Sequence, residues 1–209
     1  MYTNTMRILI ASTNSAKVAR VRKLTRHLDV EWITPSDLGL AVTEVEEGSD
    51  VEENAKQKCA AYREKTDLPI LANDTAFVIP AEPDLDPAKV RRNTLAGKDE
   101  RLLSRDEVAQ IYTSFYKNLA AKHGGRLPAY WLDVYALSPP DGDVIIESGR
   151  RDVILTNTIH YPVDPGFPMR CLYIVVASGK YCADQTEEDE EFEMESLREA
   201  LEKLIVKAR

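Results

Sequence analysis

Residues 48–77 read Gly-Ser-Asp-Val-Glu-Glu-Asn-Ala-Lys-Gln-Lys-Cys-Ala-Ala-Tyr-Arg-Glu-Lys-Thr-Asp-Leu-Pro-Ile-Leu-Ala-Asn-Asp-Thr-Ala-Phe, and this stretch decides the fold. Ser49 or Asp50 can cap the free amides of a first helical turn, with Glu52 or Glu53 placed to reach back. Val51, Ala55, Cys59 and Tyr62 fall on one face at helical spacing, and Glu52, Lys56, Arg63 and Glu64 face water. The helix gives way at Asp67-Leu68-Pro69, and Ile70-Leu71-Ala72 reads as a short buried strand that delivers Asn73-Asp74-Thr75 at its carboxyl end. Open α/β sheets place their ligands there. The acids Glu44, Glu46 and Glu47 lie just before the helix, so one helix connects two groups of oxygen ligands. That donor chemistry suits a hard divalent cation such as Mg²⁺, which takes a few carboxylates plus phosphate oxygens.

A chain of 209 residues is ample for a core, as one domain or two small lobes. The formal charge of −8 argues against a nucleic-acid duplex as partner but leaves room for a single nucleotide held by a local patch and a metal. Three cysteines, Cys59, Cys171 and Cys182, have neither a disulfide framework nor zinc-ligand spacing. The absence of a signal peptide and of an apolar run near 18 residues gives the expectation of a soluble, cytoplasmic protein with no membrane partner.

Working outward, Arg7–Ala11 reads as a first strand, Ser12–Ser15 as a polar turn, and a helix follows with Val18, Val21, Leu24 and Leu28 inside. A strand, polar turn and helix in that order make a phosphate cradle or an ordinary βα corner, with Lys17 in the first turn; no glycine-rich P-loop is present. Val30–Ile33 is a second strand. A long helical region ends at Gly124-Gly125. Tyr130–Leu137 and Val144–Gly149 form a hairpin, Arg151–Ile159 and Cys171–Ala177 are further strands, and the acidic run 187–191 precedes a last helix striped by Leu197, Leu201, Leu204 and Ile205. The sum is an α/β chain with a long twisted mixed sheet and helices on both sides. His27, His123 and His160 are scattered and expected to have surface roles.

Three segments, Ala-Ser-Thr-Asn-Ser-Ala-Lys (11–17), Glu-Glu-Gly-Ser-Asp-Val-Glu-Glu-Asn-Ala (46–55) and Leu-Ala-Asn-Asp-Thr-Ala-Phe (71–77), together resemble the inosine triphosphate pyrophosphatases, the HAM-like noncanonical purine NTP pyrophosphatases. The hairpin from Tyr130 to Gly149 and the Gly179-Lys180 pair are similar too. The resemblance implies one domain over 1–209 with two lobes around a nucleotide cleft, acting as a homodimer. It implies hydrolysis of dITP, ITP or XTP to monophosphate and pyrophosphate with Mg²⁺. Carried over by position, Thr13, Asn14 and Lys17 would hold phosphates, Asp74 would be the catalytic and metal-binding carboxylate with Thr75 beside it, Lys17 would assist catalysis, and Lys180 would touch substrate. Glu44 and Glu46 are the further metal candidates, because the family's metal-binding glutamate falls on Val45 here.

Other positions depart from the family. Its acid pair is Asn73-Asp74; its base-reading loop is Gly166-Phe167-Pro168-Met169-Arg170-Cys171, with arginine in place of aspartate; its late Ser-His-Arg aligns with Glu195-Ser196-Leu197. Phe167 is read either as stacking on a base or as a core side chain, and Arg91 or Arg92 as approaching the ligand or a dimer seam. Two functions therefore stand side by side. One is a divergent pyrophosphohydrolase. The other is a catalytically weakened sensor of dITP or ITP that signals to an effector protein, for example a sirtuin-like NADase in antiphage defence.

Overall fold

The computed structural model describes residues 5–41, 45, 48, 50–85 and 102–208. In chain order the elements are β1 (Met6–Ile10), α1 (Ser15–Leu24), β2 (Val30–Ile33), α2 (Val51–Arg63), β3 (Ile70–Val78) and α3 (Arg105–Lys122), then β4 (Arg126–Ser138), β5 (Ile145–Thr156), β6 (Tyr173–Val175), α4 (Glu187–Glu193) and α5 (Glu195–Lys207). The strands form one sheet in the order β2-β1-β3-β4-β5-β6. β1 runs parallel to β2 and β3 while β6 is antiparallel to β5, so the sheet is mixed.

The chain falls into two compact units, one of Met1–Thr75, Leu132–Arg150 and Glu195–Arg209, the other of Ala76–Trp131 and Arg151–Met194. In the first unit the two faces of the sheet sort by the strand period of two. Leu9, Ala11, Ile70, Ala72, Val134 and Ala136 pack with Ala55, Cys59 and Tyr62 of α2. The intervening Ile8, Ile10, Leu71 and Leu137 are buried on the other face, where α1 and α5 pack together. α5 buries Leu197, Ala200, Leu201, Leu204 and Ile205. The second unit packs α3 through Tyr116, Leu119 and Ala120 against Leu127, Ala129, Val153 and Leu155, with Phe77 edge-on to Tyr116 and 4.6 Å from the Trp131 ring. Gly124 and Gly125, at φ 81° and 87°, stop α3.

Several elements differ from the sequence expectations. β3 does not end at Ala72 but continues to Val78. It pairs with β1 only at Leu9–Ile70 and Ile10–Leu71, so Asn73-Asp74-Thr75 lie past the carboxyl end of β1 although they are inside β3. β4, its other neighbour, carries the strand onward. The second half of the hairpin and the strand expected at Arg151–Ile159 are one strand, β5, and the strand expected at Cys171–Ala177 shrinks to β6 behind a 3-10 turn at Pro168–Cys171. The acidic run forms its own short helix, because Thr186 caps it and Asp189 reaches back in a capping box. The three cysteines are free and buried. No helix among the described residues is long and apolar enough to cross a membrane.

A β-carbon on Gly149 would lie 2.8–2.9 Å from the backbone nitrogen, Cα and Cδ1 of Leu197. Strand and helix backbones touch there, so a side chain must push them apart. Gly149→Ala is therefore expected to destabilise by about 1–3 kcal/mol, lowering the thermal midpoint by about 2–4 °C for each kcal/mol, as read by thermal unfolding.

Candidate functional site

The site starts from the cap of α2. Asp50 accepts from the amides of Glu52 and Glu53 at 2.9 and 3.1 Å. With the first turn fixed, Asn54 and Lys58 follow four residues apart on one flank of the helix. Asn54 is buried, and its amide nitrogen donates to Asp74 Oδ2 at 2.9 Å. The same side chain donates to the Gly48 carbonyl at 3.1 Å and accepts from the Gly48 amide at 2.8 Å. Lys58 Nζ donates to Asp74 Oδ1 at 2.7 Å. One helical flank thus holds both oxygens of a carboxylate that is only 8% exposed, and ties it to the loop entering the helix.

Thr75 points to the opposite face. Its hydroxyl donates to Asp133 Oδ1 at 2.8 Å, and Arg20 Nη2 of α1 donates to the same oxygen at 2.9 Å. Asp133 is fully buried. Asn73, which replaces the expected acid, is a bridge within the sheet: its amide donates to the Val134 carbonyl at 3.0 Å and the Asp74 carbonyl at 3.1 Å. Lys17 Nζ reaches the Asn73 carbonyl at 3.3 Å, which brings α1 to the backbone of the residue next to Asp74. Asn14 caps α1 by accepting from the amides of Ala16 and Lys17 at 3.0 and 3.2 Å. Those are two of the amides that a phosphate cradle would use, and Asn14 already satisfies them; Thr13 beside it is exposed.

Burial pushes the Lys17 ammonium below its ordinary value. The neighbouring Lys58 adds to the shift, and Asp74 and Asp133 oppose it. Among the described residues Lys17, Arg20 and Lys58 gather around the two carboxylates Asp74 and Asp133. Burial pushes the Cys59 thiol up to about 12, which leaves it an inert packing group beneath α2.

In the first unit the structure brings Lys17 to the backbone beside Asp74 and Thr75, and Asn14 caps the helix that carries Lys17. Phe167 and Lys180 belong to the second unit. Phe167 is 51% exposed, which removes its reading as a core residue, and Lys180 Nζ pairs with Asp189 at 2.6 Å. Glu44 and Glu46, together with Glu47, Arg91 and Arg92, lie outside the described residues. Among the described residues no group of three His, Cys, Asp or Glu could hold a metal. Each histidine meets a carboxylate that sequence spacing did not reveal: His27 with Glu202, His123 with Glu82 and His160 with Asp184, at 2.8–2.9 Å. Sequence reasoning also missed Lys58, Asn54, Arg20 and Asp133. Two signals were available, the four-residue spacing of Asn54 and Lys58 and a single aspartate within the apolar run Tyr130–Leu137.

A family model described as the Ham1 family matches residues 8–151, more than half of the chain. The chain belongs to the Ham1 family. Among solved structures this Ham1 chain is similar to a HAM1 protein from Coxiella burnetii, with 25% identity and a TM-score of 0.73 over 97% of this chain and 100% of that one. A nucleoside-triphosphatase / dITP/XTP pyrophosphatase from Mycobacterium abscessus shares the fold at 20% identity, with a TM-score of 0.66 over 89% of this chain and 92% of that one. Among curated proteins, the dITP/XTP pyrophosphatase of Anaeromyxobacter sp. is 34% identical over 77 residues, covering 36% of this chain and 34% of that protein. The dITP/XTP pyrophosphatase of Coxiella burnetii is 36% identical over 77 residues, covering 36% and 38%. These alignments span about a third of the curated relatives' own length.

Asn54 makes three hydrogen bonds that no apolar side chain replaces. Asn54→Leu is expected to cost about 2–4 kcal/mol, at about 1 kcal/mol per bond plus the stranded Asp74 oxygen, read as a lower urea midpoint. Faster proteolysis just before α2 should accompany it, because Gly48 loses its anchor.

Proposed function

We propose that this Ham1 chain hydrolyses noncanonical purine nucleoside triphosphates of the dITP, ITP and XTP class to monophosphate and pyrophosphate. The single observation that carries the reading is the Asp74 carboxylate, gripped by Lys58 and Asn54 of α2, with Lys17 of α1 reaching the adjoining backbone. The names of the curated relatives supply the substrate class.

The donor set fits Mg²⁺ in one way. Asp74 is one carboxylate with lone pairs beyond those used by Lys58 and Asn54, and Mg²⁺ is commonly held by one or two carboxylates with phosphate oxygens and water completing the shell. Bound there, the ion would neutralise charge on the polyphosphate. Lys17 and Lys58 supply fixed positive charge to the same tail without reorganisation. Asp74 orients the attacking water, and the Asn54 bond holds its second oxygen still. A homodimer with one domain of two lobes around a nucleotide cleft belongs to the same proposal and rests on the family resemblance.

One observation favours the second reading, a dITP or ITP sensor with weakened chemistry that signals to an effector protein. In the second unit two cations are already neutralised from α4, Lys180 by Asp189 and Arg170 by Glu190 at 3.4 Å. The family model also stops at residue 151, before this segment.

Pyrophosphate release from dITP, ITP and XTP with Mg²⁺ separates the readings. Turnover that falls about 10²–10³-fold in Asp74→Asn supports the enzyme; tight binding without release supports the sensor; neither binding nor release rejects both. The charge on Lys17 gives a pH signature. Polyphosphate binds the protonated form, and its pKa in the free protein lies below 10.5. Affinity for inorganic triphosphate is therefore expected to fall on the alkaline side before pH reaches 10.5, and Lys17→Arg should shift that fall to higher pH. Calorimetric titration across the range reads both.

A further inference from the structure

We propose that Asp133 is a positioning residue of the polyphosphate site, fixing Thr75 and, through Arg20, the helix that carries Lys17; this rests on the polyphosphate reading above. Asp133 stands in a strand segment otherwise apolar from Leu132 to Leu137, and is fully buried. Its carboxylate joins three elements at one point. β4 carries it, Thr75 of β3 donates to it at 2.8 Å, and Arg20 of α1 donates to it at 2.9 Å.

Each partner is one step from a residue of the site. Thr75 follows Asp74 in β3, and Arg20 lies one helical turn after Lys17. The Arg20 side chain remains 23% exposed while that of Asp133 is wholly covered, so the pair runs from the interior outward to α1, the helix that carries Lys17. Stability alone does not call for this pair. Leu71 and Leu137 are buried on the same face by apolar contact, and a buried ion pair is commonly no better for stability than well-packed apolar side chains. An ion pair differs from them in being directional. It sets the rotation and height of α1 against β3 and β4, and with them the distance between the Lys17 ammonium and the Asp74 carboxylate. Misplacing a binding group by about 1 Å costs up to about 10²-fold.

The test uses the whole chain, inorganic triphosphate with Mg²⁺ as the probe, calorimetry for affinity and thermal unfolding for stability. The double variant Arg20→Met/Asp133→Leu replaces the ion pair by apolar volume. It is expected to remain folded at the assay temperature and to bind triphosphate about 10–100-fold more weakly. Unchanged affinity in the folded double variant overturns the positioning role and leaves the polyphosphate reading intact. Absence of triphosphate binding by the wild type overturns the polyphosphate reading and the inference with it. Should the double variant fail to fold, Arg20→Lys and Arg20→Gln decide: affinity kept by the lysine and lost about tenfold by the glutamine upholds the role, and equal affinity overturns it.

Discussion

A carboxylate taken out of water must be paired, and the pairing of Asp74 constrains the whole site. Its two oxygens are taken by Asn54 and Lys58, both from one flank of α2. Removing one partner of a buried pair costs about 3–5 kcal/mol, because the remaining charge is stranded. The rotation of α2 about its axis and its position along β3 are therefore tied to the site. The same Asn54 holds the Gly48 backbone on both its amide and its carbonyl. Gly48, the first turn of α2 and the Asp74 carboxylate are consequently tied together through one side chain.

The second constraint is the strand period. Consecutive residues of β3 point to opposite faces, so Asp74 meets α2 while Thr75 meets Asp133 and α1. Asp74 pairs with Lys58 on one face and Asp133 with Arg20 on the other. Lys17 sits where the two arrangements adjoin, on the Asn73 backbone past the end of β1. Among its described residues a chain of net charge −8 thus gathers Lys17, Arg20 and Lys58 in one place. Asn73 fits the same scheme. A second acid there would be buried without a cation of its own, whereas the amide satisfies carbonyls of β3 and β4.

The elements that sequence made legible are those fixed by local chemistry. The α2 helix begins at its Asp50 cap, α1 buries Val18, Val21 and Leu24, and β2 spans Val30–Ile33 as the apolar pattern predicts. Asp74 and Lys17 could be singled out because a polar triplet after an apolar strand and a lysine in a first helical turn are local signals. The extension of β3 to Val78 was not legible, since it depends on β4, whose sequence lies far along the chain. Lys58, Arg20 and Asp133 stayed hidden for the same reason: a lysine on a helix flank looks solvated until the strand opposite is known to carry a carboxylate toward it. The cap formed by Asn14 was legible in principle, because asparagine before a helix satisfies first-turn amides. That cap occupies two of the amides a phosphate cradle would use.

Crystals of the protein with Mn²⁺ and a dITP analogue whose bridging oxygen between the α- and β-phosphorus is replaced by a nonhydrolysable imide test the central claim most directly. The expected result is an anomalous Mn²⁺ peak within bonding distance of an Asp74 oxygen, and phosphate oxygens on the Lys17 ammonium. A nucleotide bound elsewhere, or a polyphosphate tail touching neither side chain while Lys58 and Asn54 keep Asp74 to themselves, would contradict it.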